Sequence, residues 1–244
     1  MLRGDCERTE RRVRTVHLQA CDTDEVSALG GDDERVEHGG VQVFHRQPGC
    51  GGQPGDGNEF LAPRRSWFKR GQGTIGLELL EDLGSVDTLI AGLSGGRLLW
   101  GTAIALKAAN PELRVIGVSM ERGPAMIESI RAGRPVPMTE EPSLANSLGS
   151  GIGMDNRHTF ELMRRVVNDY VLVSERETAV GMAHLFRHER LIAEGGASVG
   201  VAAMLAGRLS GLHGNVACII SGNNVDMDAY LRVINGSSFE EDGD

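Results

Sequence analysis

Hydrophobic positions beyond residue 70 follow two alternating rhythms. Ile75, Leu79 and Leu83 recur at helical spacing and predict a helix over 74–83, and the short apolar run 86–93, bounded by turn formers, predicts a buried strand. The same alternation predicts a helix over 98–109 ending before Pro111, a strand over 114–118, and a helix over 125–132 closed by Gly133. A helix over 159–167 and a strand over 170–173 follow, then a helix over 175–187. Ser174 and Glu177 stand at the spacing of a capping box at the start of that last helix. A strand over 216–220 and a helix from about 226 to 234 complete the set. Strands that alternate with helices need crossover connections, so the expected class is α/β: a mainly parallel sheet with helices on both faces.

Before residue 70 the rhythm is missing. That stretch holds no isoleucine, and glycine-rich runs such as 49–57 carry no apolar period. Residues 1–70 are therefore expected to be a disordered, low-apolar segment, 71–236 the folded domain, and 237–244 a solvated acidic tail. The formal charge of −9 argues against nucleic acid or an anionic membrane as a partner. No apolar run reaches the roughly 18 residues of a membrane span, and the N-terminus carries charges where a signal peptide is apolar, which places the chain in the cytoplasm. Cys6, Cys21 and Cys50 are scattered, Cys218 sits in an apolar run, and His17, His38 and His45 show no ligand spacing. Neither disulfides nor a zinc site is expected, and Cys218 reads as a small core residue.

Two loops carry candidate chemistry. The segment Gly92, Leu93, Ser94, Gly95, Gly96, Arg97, Leu98 joins a predicted strand to a predicted helix. Glycines there allow a sharp turn and a close backbone approach, and the first N–H groups of the helix point outward as anion donors. It matches neither the P-loop nor the dinucleotide spacing, so it is either a phosphate cradle or a tight turn. The second loop, Ser221 to Asp226, follows the last strand. Ligands in open α/β sheets bind outside the carboxyl ends of strands, which makes the Ser221 hydroxyl a site candidate. The alternative is a turn with Asn223 or Asn224 in the left-handed region.

Five elements, in order, carry a resemblance: 71–75 (Gly-Gln-Gly-Thr-Ile), Ser94-Gly95-Gly96, 115–118 (Val-Ile-Gly-Val), 194–197 (Glu-Gly-Gly-Ala) and 221–226 (Ser-Gly-Asn-Asn-Val-Asp). Together they resemble the C-terminal half of the pyridoxal-phosphate-dependent threonine/serine dehydratases. Residues 119–123 and 151–157 are similar in wording to the hydroxyectoine-utilization dehydratases of that family. The resemblance implies a partial fold-type-II enzyme with pyridoxal 5'-phosphate as cofactor. It implies a lyase reaction on a small β-hydroxy amino acid, a β-elimination yielding a 2-oxoacid and ammonia. By match, Ser94, Gly95, Gly96, Arg97 and Leu98 would wrap the cofactor phosphate and Ser221 would bond the pyridine nitrogen. Glu194 matches a family glutamate near the ring, with a structural role at a helix start as the alternative.

The departures are equally specific. Arg97 stands where the family has a further glycine, and its Cβ would obstruct backbone approach unless its guanidinium pairs with the phosphate. Ser119 replaces a glutamate that binds a divalent cation in some relatives, so no metal is expected. The Schiff-base lysine and the substrate-carboxylate loop should precede residue 71, and neither is present. The chain has two lysines, Lys69 beside the Gly71 motif and Lys107 on a predicted helix surface, and neither stands at the family position. The catalytic residues are thus unknown, and residues 1–70 read equally as an out-of-frame product. Three readings follow: a family member inactive in this form, a non-enzymatic partner of an intact homologue or a homo-oligomer, or an unrelated nucleotide-binding α/β protein.

Overall fold

The computed structural model describes residues 72–149 and 151–236, together with the backbone of three short strands nearer the N-terminus. Those strands are β1 (Val13–Leu18), β2 (Val36–His38) and β3 (Val41–Arg46). The remainder of 1–70 and the acidic tail lie outside the described residues, as do the expectations made for them. From residue 72 the order is α1 (Gly73–Leu83), β4 (Thr88–Gly92), α2 (Arg97–Ala109), β5 (Arg114–Met120) and α3 (Ala125–Ala132). After a 3-10 turn (Asn146–Leu148) come α4 (Arg157–Val166), β6 (Asp169–Val173), α5 (Glu175–His184) and a π turn (Leu185–Glu189). The chain then forms α6 (Gly195–Leu205), β7 (Val216–Ile220) and α7 (Met227–Ile234).

Strands β7, β4, β5 and β6 lie side by side in that order and all pair in parallel. β1 pairs in parallel with β7 and β3, and β2 closes that edge antiparallel to β3. The two-residue period of a strand sends alternate side chains to opposite faces. Leu89, Ala91, Val115, Ala217 and Ile219 meet α1, α2 and α4, while Ile90, Ile116, Val118, Val216, Cys218 and Ile220 meet α6. Helices therefore cover both faces, as the expected α/β class requires.

Polar side chains fix the register at the amino ends of the strands. The Asp87 carboxylate accepts from the Asn215 N–H at 2.7 Å, and the Asn215 amide donates to the Ser85 carbonyl at 3.0 Å. Between β5 and β6, Asn168 accepts from the Val115 N–H at 2.8 Å, and Arg114 donates to Asp169 at 2.7 Å and to the Ser210 carbonyl at 2.6 Å. These clasps leave the carboxyl ends of the strands for other work.

Among residues 72–236, two elements depart from the sequence reading. The helix expected over 175–187 does begin with the Ser174–Glu177 capping box, but its α-helical part ends at His184 and the chain continues as the π turn. Helix α6 is absent from the elements that the sequence pattern predicts, because it has no polar face: every residue from Gly195 to Ala203 is buried. A helix covered on all sides leaves no 3.6-residue hydrophobic signature. What it requires is small side chains. A Cβ added at Gly200 would lie 2.7 Å from the Cys218 sulfur and 3.2 Å from Ile90, and one at Gly181 would lie 3.0 Å from Ala202 on α6.

This contact makes a prediction. Gly200→Ala should destabilise the fold by about 1–3 kcal/mol, the cost of overpacking exceeding the helix-propensity gain. In a Cys218→Ala background the cost should shrink, and urea unfolding of the four chains of a double-mutant cycle would read that coupling.

Candidate functional site

Three segments meet at the carboxyl ends of β4 and β7. The first is the loop from Leu93 to Gly96. The Leu93 N–H donates to the Val118 carbonyl at 2.7 Å, and its side chain folds onto the sheet over Gly117, where a Cβ would sit 2.7 Å from it. Gly96 has φ 79°, a left-handed conformation that glycine adopts without strain, and it packs against Met163 of α4. This turn aims the first N–H groups of α2, headed by Arg97 and Leu98, back across the loop. Asn156, Ser174 and Asp226 cap α4, α5 and α7 with their side chains, whereas α2, like α1 and α6, has no side-chain cap and no acidic residue in its first turn. Gly95 has open space where a Cβ would stand. The positive end of the helix dipole, outward-facing N–H donors and an open glycine are what an anion requires.

The second segment is the N-terminus of α6. Glu194 is its N-cap residue, and its carbonyl accepts from the N–H groups of Ala197 and Ser198. Gly92 packs so closely on this turn that a Cβ there would lie 2.9 Å from the Gly196 carbonyl oxygen. The third segment, Ser221 to Asp226, leaves β7. β4 and β7 pair in parallel from Thr88 with Val216 to Ile90 with Cys218, so the loop after β4 and half-buried Ser221 after β7 both follow the carboxyl ends of neighbouring strands. The loop and the serine therefore leave the same edge of the sheet. Neither Asn223 nor Asn224 is left-handed, because Arg190 is the only non-glycine residue with positive φ among those described. The turn reading of this loop is thus corrected to an extended exit from β7 toward α7.

Glu194 joins the second segment to the third. Its N–H donates to the Gly222 carbonyl at 3.1 Å, and its carboxyl accepts from the Ser147 hydroxyl at 3.5 Å and from the Asn224 N–H. Burial pushes this carboxyl above its ordinary 4.5, opposed by those two hydrogen bonds. Ser147 and Met163 escaped the sequence reading. Ser147 lies 47 residues from Glu194, with no motif to link the two.

Other candidates fall elsewhere. Lys107 lies half-buried on α2, and its Nζ donates to the Leu113 carbonyl at 2.7 Å. It is ten residues along α2 from Arg97, about 15 Å at 1.5 Å per residue, and so sits toward the clasped ends of the strands. Cys218 is wholly buried and burial pushes its thiol up to about 12, which fits a core residue and not a nucleophile. Ser119 is buried on β5 with no partner for its hydroxyl, and the described residues contain no cluster of three or more metal-ligating side chains. Lys69, Cys6, Cys21 and Cys50 lie outside the described residues, and nothing is described of the side chains of His17, His38 and His45. No helix among the described residues is long and apolar enough to cross a membrane.

A mainly parallel sheet with a glycine loop and a serine at the carboxyl ends of its strands has the architecture of an α/β ligand-binding domain. Residues 15–222 match the family described as pyridoxal-phosphate dependent enzyme, and the chain belongs to that family. A Sinorhizobium fredii protein provisionally named a threonine dehydratase is 49% identical over 166 residues, covering 68% of this chain and 50% of the relative. The L-threonine ammonia-lyase of Thermotoga maritima is 41% identical over 165 residues, covering 68% and 40%. Among solved structures, a threonine deaminase from T.th. matches with TM-score 0.59 and 31% identity over 64% of this chain and 58% of that one. Maize serine racemase matches with TM-score 0.60 and 28% identity over 68% and 51%. The chain spans about half the length of the curated relatives it matches.

The non-covalent half of a pyridoxal-phosphate site fits these residues. The α2 cradle suits a phosphate dianion, and Ser221 offers a neutral hydroxyl to a ring nitrogen. Among the described residues no covalent tether fits, because Lys107, their one lysine, stands at the other end of α2.

Glu194 and Glu177 give opposite pH signatures. The Glu194 carboxyl is raised in the fold, so its contribution is full below 4.5 and is lost as pH rises through the folded value. Glu177 is lowered, chiefly by its hydrogen bond from Arg208, so its contribution is present above 4.5 and is lost as pH falls through the folded value. Glu194→Gln should therefore remove a loss of stability just above 4.5, and Glu177→Gln a loss below it, both read from urea midpoints across that range.

Proposed function

We propose that residues 72–236 are the cofactor-binding half of a threonine/serine ammonia-lyase, and that this chain by itself does not complete the reaction. The observation that carries the reading is that the α2 cradle and Ser221 follow the carboxyl ends of two neighbouring parallel strands, with the one lysine of the described residues, Lys107, held at the other end of α2. The relatives named for threonine dehydratase and ammonia-lyase activity support the substrate class, a small β-hydroxy amino acid, with a 2-oxoacid and ammonia as products.

Pyridoxal phosphate, when bound, supplies the electron sink that makes loss of a proton next to an amino group accessible. The chain's own residues would act around it. Ser94 to Leu98 hold the phosphate through backbone N–H groups at the positive end of α2, with Gly95 leaving room for approach. Ser221 presents a hydroxyl to the ring nitrogen. Serine is neutral, so it leaves that nitrogen largely unprotonated and moderates the sink, which suits elimination of a β-substituent. Glu194, held by Ser147 and Asn224, lies beside that serine. What the described residues lack is a base for the substrate proton.

A second reading, a non-catalytic partner of an intact homologue in which the two chains share one assembly, is favoured by exposed apolar side chains on neighbouring helices. Leu77 on α1 and Ile104 on α2 are 55% and 48% exposed. Co-purification of the chain with a full-length relative would separate this reading from the first.

Equilibrium binding tests the site itself. The chain should bind pyridoxal phosphate more tightly than pyridoxal, with inorganic phosphate competing. Ser221→Ala should weaken pyridoxal phosphate by about threefold to tenfold, one neutral hydrogen bond, and leave phosphate binding unchanged. Equal binding of pyridoxal and its phosphate, or preference for a nucleotide, would contradict the proposal.

A further inference from the structure

Glu194 brings a carboxyl to the junction of two site segments, and its partners explain what it does there better than its charge. Its backbone N–H and its side chain hold the Ser221 segment at two successive places, Gly222 and Asn224. A third contact lies one helix further on. The Tyr230 hydroxyl, buried on α7, donates to the Leu191 carbonyl at 3.4 Å and accepts from the Ala193 N–H, just before Glu194. Residues 191–194 are thus held by Gly222 of that segment and by Tyr230 of the helix that follows it.

The fit has no slack. A Cβ at Gly222 would lie 2.6 Å from Glu194 Oε1, one at Gly196 would lie 2.2 Å from the Ser147 hydroxyl, and one at Gly195 would lie 2.1 Å from the Leu144 carbonyl. Three glycines from two segments leave space for one carboxyl, one hydroxyl and one backbone carbonyl. Both side-chain partners of that carboxyl, a serine hydroxyl and a backbone amide, are neutral. A carboxylate that met the ligand as a charge would need no such interlock.

Building on the cofactor-site reading above, we infer that Glu194 is a positioning residue: with Ser147 as its support, it sets the Ser221–Gly222 exit against the start of α6, acting as a hydrogen-bond acceptor and not as a charge. Burial, which raises its pKa, is in keeping with a group whose task does not depend on ionisation. An amide in its place keeps the acceptor at Oε1. Removing the side chain leaves the Asn224 N–H and the Ser147 hydroxyl without it.

Hydrogen exchange of the unliganded chain, followed at the amides of Gly222 to Asn224, tests this without a cofactor. Glu194→Ala should speed exchange there by about tenfold, and Ser147→Ala by a smaller factor, while Glu194→Gln stays near wild type. In parallel, tryptophan fluorescence titrations should show Glu194→Ala weakening pyridoxal phosphate by about tenfold, with inorganic phosphate, which goes to the α2 cradle, unaffected. Glu194→Gln should restore pyridoxal phosphate binding. If Glu194→Gln behaves like Glu194→Ala in either measurement, the carboxyl acts as a charge and the inference fails. Unchanged exchange in Glu194→Ala would equally overturn it. Should Glu194→Ala lose its circular dichroism signature, Ser147→Ala and Glu194→Gln decide alone: faster exchange in the first with none in the second supports the inference, and any other pattern refutes it. If the wild-type chain binds no pyridoxal phosphate, the cofactor-site reading falls, and the exchange data still decide whether Glu194 holds the turn.

Discussion

At Gly200, helix α6 lies so close to the sheet that no side chain fits between them, and the site depends on that approach. Gly200 admits the Cys218 sulfur, and Gly196 admits Ser147. Larger side chains on this face would lift the helix from the sheet, and with it the N-terminus that carries Glu194. Because protein interiors are close-packed, a shift of even a methyl group would be felt at the other end of the contact. The same closeness brings the Gly196 carbonyl onto Gly92, so that the end of β4, the start of α6 and the exit of β7 form one packed unit.

The two ends of the sheet do different work. At the amino ends, Asp87, Asn168, Asp169 and Arg114 spend their polar groups on register. At the carboxyl ends, the backbone N–H groups of α2 and the Ser221 hydroxyl are the groups that our proposal assigns to an anion and a ring. This division explains why a lysine on the same helix as the cradle is no substitute for a catalytic one: Lys107 belongs to the clasped end and is engaged by the Leu113 carbonyl.

Much of this was legible in the sequence, and what was not has physical reasons. Strands β4 and β7 showed as short apolar runs, and α5 announced its start through Ser174 and Glu177, because capping is local chemistry between residues three apart. The glycine loop and Ser221 could be placed at strand ends by pattern alone, and the family resemblance agreed with the family match. Helix α6 left no period to read, since a helix buried all round has no polar face. Ser147 could not be found because its partner is distant in the chain and a lone serine carries no signal. The π turn after His184 was equally invisible, and Asn223 and Asn224, favourable left-handed residues by type, adopt ordinary backbone because the segment runs directly to the Asp226 cap of α7.

The most direct measurement is reduction of the purified chain with borohydride in the presence of pyridoxal phosphate, followed by mass spectrometry of the peptides. A cofactor-binding half without its covalent tether predicts saturable, phosphate-competed binding and no stoichiometric reduced adduct on either lysine. A single stoichiometric adduct at Lys69 or Lys107 would contradict it, and would show that the chain carries its own Schiff-base lysine.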